Sequence, residues 1–137
     1  MVVRAVAVKD TRVLRQAVLR PHLTVEQMIE SEPANAFAVG AFEDEQLVAV
    51  GLVGPEGEPG AWRVRGMAAA PVARGRGAGT AVLEALLAHA CSHGASRVWA
   101  SVRIPARTLY ERAGFQAVSE EYEEPKIGPH VLMSREV

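Results

Sequence analysis

The sequence is poor in cysteine, in aromatic residues and in lysine. Its 137 residues include a single cysteine, Cys91, so no disulfide can form within the chain and a reducing, cytoplasmic location is expected. Aromatic residues make up only 5% of the chain, and none interleaves with the arginines of RGRG at residues 74–77. Together with a net charge of −1, this argues against nucleic-acid binding. Only two of the 15 basic residues are lysines, Lys9 and Lys126, a bias that, with the many alanines, is typical of a high-GC bacterial genome.

The sequence also contains no long apolar run. Nothing approaches the roughly 20 residues that a membrane-spanning helix needs, and the first ten residues, MVVRAVAVKD, are too few and too charged for a signal peptide. The apolar share of 49% and the charged share of 23% are ordinary for a globular protein. Length and composition therefore predict one soluble domain, residues 1–137, with no membrane partner.

Charge is unevenly distributed along the chain. Between Arg63 and Arg112 there are eight arginines, no lysine and two acids, Glu84 and Glu111, so this segment carries +6 and the rest of the chain −7. A solvated basic face would explain the segment, and so would a basic cleft for an anionic ligand. Composition leaves both open.

Hydrophobic patterning predicts an α/β fold on one sheet, in the order strand, helices, three strands, helix, strand, helix, two strands. In the first helix, DTRVLRQAVLRP, Asp10 or Thr11 is expected to cap the start, and Val13, Leu14, Ala17 and Val18 to share a face. Four helices are expected, at 10–20, 24–32, 79–93 and 105–113. Strands are expected at VVRAVAV, AFAVGAF, LVAVGLV, AWRVRGMAA, SRVWASV, FQAVSEEY and HVLMSREV.

A glycine-rich turn stands where the third helix begins. Residues 74–79 read RGRGAG, after a strand and before an Ala/Leu-rich helix. Free N–H groups and the dipole of a helix start attract anions, and glycines let a ligand approach the backbone. Arg74 and Arg76 add charge-assisted contacts, which favours phosphate or pyrophosphate. The turn matches neither GxxxxGK[ST] nor GxGxxG, and a tight turn with nothing bound is the alternative.

The turn and two later segments resemble the GNAT superfamily of acyl-CoA-dependent N-acetyltransferases. Arg74, Gly77 and Gly79 fill its signature [RQ]xxGx[GA], and ARTLYERAGF (106–115) is similar to its segment Axx[LF]YexxGF. VLRP (18–21) and IGPHVLM (127–133) look like the ends of a bacterial branch whose acceptors are mostly unassigned. The resemblance covers nearly the whole chain.

The resemblance implies a mixed, mostly antiparallel sheet whose two central strands splay apart, flanked by about four helices. Coenzyme A would lie in the split, with its pyrophosphate on residues 74–80 and its pantetheine bonded to the backbone of Met67–Ala69. Many members carry Asn where this chain has Arg103, whose role toward coenzyme A or the acceptor is left open. The residues expected to bind the cofactor are Met67, Ala68, Ala69, Arg74, Gly75, Arg76, Gly77, Ala78, Gly79, Thr80, Arg103 and Arg107.

The implied reaction is direct attack of a neutral amine on the thioester of acetyl-CoA. A backbone N–H near Ala69 would stabilise the charge developing on the oxygen. Tyr110 would donate a proton to the departing thiolate, unless it merely packs on the sheet. His130 is the candidate base, against a structural role beside its turn. The acids at 120, 121, 123 and 124 could also serve, although EEYEE fits a solvated face better.

Other reactive residues receive simpler interpretations. His89 and His93 have metal-binding spacing on a helix but lack a third ligand, so no metal is expected. Cys91 could form a covalent acyl-enzyme, but a small packed residue is favoured. Arg65 and Arg103 could contact an anionic acceptor, or else coenzyme A or solvent.

The expected partner is a small-molecule or peptide amine, and a homodimer is possible. A non-catalytic acyl-CoA sensor is the alternative function.

Overall fold

The computed structural model describes residues 1–137 and contains one eight-stranded sheet, three α-helices and four short 3-10 helices. The α-helices are α1 (Arg12–Leu19), α2 (Ala78–Ser92) and α3 (Arg107–Arg112). The 3-10 helices span Val8–Thr11, Glu26–Ser31, Pro71–Ala73 and Ile104–Ala106. The strands are β1 (Val2–Val6), β2 (Phe37–Glu43), β3 (Gln46–Pro55), β4 (Ala61–Ala69), β5 (Arg97–Arg103), β6 (Gln116–Ala117), β7 (Tyr122–Glu124) and β8 (Gly128–Glu136). No helix is long and apolar enough to cross a bilayer.

The sheet is mixed and opens in its middle. Its order is β1-β2-β3-β4-β5-β8-β6, with β7 also paired to β8. Every pair is antiparallel except β4–β5, which run parallel and pair only where Ala61–Arg63 face Arg97–Trp99. Beyond those residues β4 continues to Ala69 and β5 to Arg103 without pairing to each other. The expected splay between two central strands is therefore confirmed.

The two faces of the sheet carry different helices. On one face α2 buries Val82, Leu83 and Leu86 against the strands, in a cluster that includes Val64 of β4. Because strand side chains alternate, Arg63 and Arg65 point to the other face, where α1 packs on β4. The apolar core therefore lies under α2, and the charged side chains collect under α1.

The first helix differs from its prediction. Val13 and Ala17 are exposed, whereas Arg15 is 2% exposed and faces the sheet. Thr11 does not cap the helix, because its hydroxyl donates to the carbonyl of Val8 in the preceding 3-10 helix. The buried guanidinium of Arg15 is held by Glu32, at 2.6 Å, and by the Met28 carbonyl, at 3.3 Å. A buried ion pair thus replaces the apolar face that the spacing predicted.

The predicted strand FQAVSEEY is broken. Only Gln116–Ala117 and Tyr122–Glu124 pair with β8. Between them the N–H of Leu132 donates to the hydroxyl of Ser119, at 2.9 Å, instead of to a backbone carbonyl. A side-chain acceptor therefore interrupts the ladder.

Other predicted elements hold. The β2–β3 hairpin turns at Asp44 and Glu45, both with positive φ. Helix α2 begins one residue earlier than predicted and is followed by Gly94 with φ +87°. Thr24 and Gln27 form the predicted reciprocal cap, but the helix they start is of the 3-10 type.

Candidate active site

The split between β4 and β5 opens into a cavity of about 950 Å³. Its walls are the free edge of β4, the glycine turn before α2, the start of α3 and the end of α1. A second cavity of about 180 Å³ lies under α1, and the two share seven lining residues: Leu19, Arg20, Val64, Arg65, Gly66, Ser101 and His130. The site therefore has one large compartment beside the glycine turn and one small compartment beside α1.

The free edge of β4 presents backbone groups to the large compartment. The N–H of Ala70 donates to the carbonyl of Val48, at 2.8 Å, so Ala70 is bonded toward β3. In an antiparallel ladder the neighbouring residue points the opposite way, so the N–H and carbonyl of Ala69 face the split. A bulge at Gly66, with φ +64°, interrupts the pairing with β3 just before this segment. An extended ligand with amide groups could pair with this edge.

The glycine turn ends in unpaired N–H groups. Gly75 and Gly77 have φ of +81° and +82°, and a Cβ at either position would meet nothing within 4 Å. The first helical bond of α2 runs from the N–H of Ala81 to the carbonyl of Gly77. The preceding N–H groups, at Ala78, Gly79 and Thr80, therefore have no acceptor in the chain. This arrangement suits a phosphate or pyrophosphate group.

The structure does not bring all the expected arginines to this wall. Arg74 lines the large compartment, as does Arg112, which the sequence pattern did not single out. Arg76 lies outside the lining and pairs with Glu43, at 3.0 Å. Arg107 also lies outside it and contacts Glu111, at 3.6 Å. Arg112 is the last residue of α3 and the last arginine of the basic segment Arg63–Arg112.

Tyr110 lies at the wall of the large compartment and is 5% exposed. Its ring packs edge to face on Phe115, with ring centroids 5.2 Å apart. Burial raises the pKa of Tyr110 well above its ordinary value, and its hydroxyl makes no hydrogen bond within the chain. The phenol therefore stays protonated at neutral pH and has a proton free to donate into the cavity.

His130 borders both compartments and is 4% exposed. Its Nδ1 lies 2.9 Å from the carbonyl oxygen of Gly128. A carbonyl only accepts hydrogen bonds, so Nδ1 is the donor in this contact, and Nε2 is the ring nitrogen that remains for a ligand. His130 also stands opposite Arg103 in the β5–β8 register. It can therefore accept a proton from a group held between the compartments.

The acids near residue 120 contribute little to the site. Glu120, Glu121 and Glu123 are exposed, and only Glu124 lines the small compartment. Tyr122, which lies among them, bonds to the hydroxyl of Ser101 on the cavity wall. The sequence pattern gave no sign of this contact, because it joins residues 21 positions apart.

Glu56 pairs with both arginines of β4. It lies 2.9 Å from both Arg63 and Arg65, so the prediction that these two share a face is confirmed. Burial alone would raise the pKa of Glu56, but the hydrogen bonds from Arg65 and Arg63 outweigh it and lower that pKa. Arg63 also stacks over Trp99, 4.4 Å from the ring centroid. One carboxylate is thus shared by two guanidinium groups.

The helical histidines and the cysteine stand apart from the site. His89 stacks on His93 and on Phe37, with centroids 4.0 and 3.6 Å apart. Burial, and then the neighbouring His93, lower the pKa of His89. No three His, Cys, Asp or Glu side chains are grouped to hold a metal. Cys91 is exposed, so its predicted packing was wrong.

Two sequence comparisons match this chain to known proteins. The sequence model of the acetyltransferase (GNAT) family matches residues 6–115. A Bacillus subtilis (strain 168) protein described as the uncharacterized N-acetyltransferase YitI is 29% identical over 138 residues, covering 96% of this chain and 93% of the relative.

Solved structures show the same fold. An aminoglycoside 6'-N-acetyltransferase complexed with coenzyme A matches with a TM-score of 0.81 at 15% identity, over 99% of this chain and 97% of the other. The ribosomal-protein-S18-alanine N-acetyltransferase from Escherichia coli matches with a TM-score of 0.80 at 16% identity, over 99% and 93%.

Proposed function

Since the chain belongs to the acetyltransferase (GNAT) family, with acetyl-CoA as co-substrate, we propose that it transfers the acetyl group to a primary amine of a small molecule or protein by direct attack in a ternary complex. One observation carries the proposal. The open edge of β4, the glycine turn, Tyr110 and His130 all border one continuous cleft. The structural neighbours act on amines of both kinds, an aminoglycoside and a ribosomal protein.

The residues present fit coenzyme A. The unpaired N–H groups of the glycine turn, with Arg74 and Arg112, would hold its phosphates. The edge of β4 from Met67 to Ala69 would bond to its amide-containing arm. Bound there, acetyl-CoA supplies an acetyl thioester, the activated group that an amine can attack.

The side chains then divide the remaining work. Nε2 of His130 accepts the proton of the attacking amine. The N–H of Ala69 stabilises the negative charge that develops on the acyl oxygen. Tyr110, kept protonated by burial, donates its proton to the departing sulfur. The amine approaches from the small compartment under α1, since His130 borders both compartments.

Amine-dependent thiol release from acetyl-CoA tests this function. We expect the wild type to release thiol with at least one member of a panel of amines, amino acids and peptides. Tyr110→Phe should lower kcat roughly 100-fold, within the range for general acid catalysis, and leave the coenzyme A dissociation constant unchanged. Because the Tyr110 hydroxyl has no partner in the chain, the variant should fold as the wild type does.

His130→Gln tests the base separately. We expect a comparable fall in kcat, because glutamine cannot take up the proton. Cys91→Ser is the matched control, since Cys91 is exposed on α2 and should leave turnover unchanged. Tight coenzyme A binding without thiol release for any amine would instead favour a sensor.

Location and assembly are part of the proposal. The lone, exposed Cys91 supports a reducing, cytoplasmic compartment. A homodimer through the last strands stays a prediction, and sedimentation of the purified chain would test it.

A further inference from the structure

The junction between the large and the small compartment has an unbalanced positive charge. Resting on the proposed function, we propose that the acceptor is a small primary amine that also carries an anionic group, a carboxylate or a phosphate, and that Arg20 and Arg103 hold this group.

Arg20 and Arg103 have no carboxylate partner. Arg20 follows the end of α1 and donates only to the carbonyl of Leu19, at 2.9 Å. Arg103 ends β5 and makes neither an ion pair nor a side-chain hydrogen bond in the chain. Both are partly buried and both line the cleft. Guanidinium groups without an acidic partner on a cleft wall can bind an anionic group of a ligand through charge-assisted hydrogen bonds.

The two charges also lie close enough to repel each other. Desolvation lowers the pKa of Arg20, and the positive charge of Arg103 lowers it further. Glu124 opposes this effect and Arg15 adds to it, but Glu124 is in ion-pair contact with neither Arg20 nor Arg103. An anion between the two guanidinium groups would relieve the repulsion and accept hydrogen bonds from both.

The other arginines of this face are already occupied. Arg15 is bonded to Glu32, and Arg63 and Arg65 share Glu56. Glu32 also bonds to Arg12, so six arginines on this face meet three acids, Glu32, Glu56 and Glu124. This leaves an excess of three positive charges, and Arg20 and Arg103 are the two of the six arginines that have no ion-pair partner.

The position of the pair suits an acceptor better than the cofactor. Arg103 stands opposite His130 in the sheet register and lines the large compartment. Arg20 and His130 line both compartments, so the three side chains meet at the junction. An amine next to Nε2 of His130 would thus have its anionic group within reach of both arginines. The phosphates of coenzyme A have the glycine turn, Arg74 and Arg112 elsewhere in the cleft. The compartment, at about 180 Å³, has the volume of roughly six waters, which suits a small molecule.

The test compares amines that differ only in charge. Thiol release is measured with L-amino acids against their amides, and with O-phosphoethanolamine against ethanolamine, so that the carboxylate and phosphate arms are separate. In at least one of these two comparisons, we expect kcat/KM to be at least tenfold higher for the anionic amine than for its neutral counterpart. Arg20→Gln and Arg103→Gln should each lower kcat/KM for that member roughly 10- to 150-fold, the size of a lost charge-assisted hydrogen bond. The loss should fall mainly on KM, and neutral amines should be unaffected.

Two controls separate the acceptor from the cofactor and from general charge. Arg4→Gln removes a positive charge from β1, where Arg4 stacks on Phe42, and should change nothing. Arg103→Lys should recover part of the preference because it keeps the charge. The coenzyme A dissociation constant should stay the same in all variants. A raised coenzyme A dissociation constant in Arg103→Gln, with the amine preference intact, would overturn the proposal.

The outcomes distinguish this inference from the function beneath it. Turnover of neutral amines as efficiently as anionic ones would refute the anionic acceptor and leave the acetyltransferase intact. If no amine is turned over, calorimetric titration of the same panel into the coenzyme A-saturated protein decides. Selective binding of anionic amines that both glutamine variants abolish would support the inference, and equal or absent binding would refute it.

Discussion

The buried pair of Arg15 and Glu32 should control how firmly α1 is held on the sheet. Arg15 is 2% exposed and Glu32 8% exposed, and their closest atoms are 2.6 Å apart. Glu32 also accepts two hydrogen bonds from Arg12, each 2.9 Å long. Glu32→Gln keeps the shape and removes the charge, which leaves the guanidinium of Arg15 buried without a counter-ion.

Leaving a buried charge unpaired costs about 3 to 5 kcal/mol, and the lower end applies because glutamine retains one acceptor oxygen. We therefore expect Glu32→Gln to lower the free energy of unfolding by about 3 kcal/mol, and Tm by about 10 °C. Such a loss is a large share of the 5 to 15 kcal/mol typical of a domain. Arg15→Met together with Glu32→Gln should recover at least about 1 kcal/mol, because the buried charge is gone.

Urea unfolding at pH 7 measures the effect, with Glu58→Gln as the control. Glu58 pairs with Arg97 at 2.8 Å but is 66% exposed, so its loss should stay below about 1 kcal/mol. A loss in Glu32→Gln as small as that of the control would refute the claim that Arg15 depends on a buried counter-ion.

The same pair predicts acid sensitivity. The hydrogen bond from Arg12 lowers the pKa of Glu32, burial opposes it, and Arg15 lowers the pKa further. A depressed carboxyl pKa contributes stability that is present above the unfolded pKa of about 4.3 and is lost as pH falls through the lower folded value. The wild type should therefore lose stability below about pH 4.3 more steeply than Glu32→Gln does, and parallel pH curves would contradict this.

Three further predictions concern the cleft. Gly66→Ala should lower the free energy of unfolding in urea by about 1 to 3 kcal/mol, because Gly66 has φ +64° and a Cβ there would lie 2.9 Å from Nε of Arg15. Gly94→Ala is the control, since Gly94 also has positive φ but has open space around it, and it should cost less. Equal losses in the two variants would exclude the clash with Arg15. Arg74→Gln and Arg112→Gln should each raise the coenzyme A dissociation constant about tenfold in calorimetry. Arg76→Gln and Arg107→Gln should change it less, because neither side chain lines the large compartment. The reverse ranking would contradict the assignment of Arg74 and Arg112 to the phosphates. Since burial raises the pKa of Tyr110, the phenol should not lose its proton between pH 7 and 9. Any decline of kcat over that range should therefore appear in Tyr110→Phe as well, and a decline seen only in the wild type would contradict this.

Local chemistry explains which parts of the fold were predictable. The glycine turn and α2 were predicted because strand alternation, glycines and a helix stop lie next to one another in the sequence. The buried face of α1 was predicted wrongly because hydrophobic spacing assigns an arginine to the solvent side of a helix. The burial of Arg15 depends on Glu32, 17 residues away. The break after Ala117 depends in the same way on a bond between Ser119 and Leu132.

The site follows the same division. Tyr110 and His130 stand in recognisable segments, and the structure places both at the cleft. Arg20 and Arg112 carry no local signal that separates them from surface arginines, and only the folding of α1 and α3 beside the split brings them to the wall. The sequence could give the charge of the basic segment but not which of its arginines find an acid.

Titration of the 15N-labelled protein with coenzyme A, followed by amide NMR, tests the central claim most directly. We expect the largest shifts at the amides of Met67–Ala69 and of Gly75–Thr80, because the β4 edge would bond to the arm of coenzyme A and the glycine turn would hold its phosphates. Tight binding that leaves these amides unmoved, with shifts confined to α1 or to the outer strands, would contradict the account.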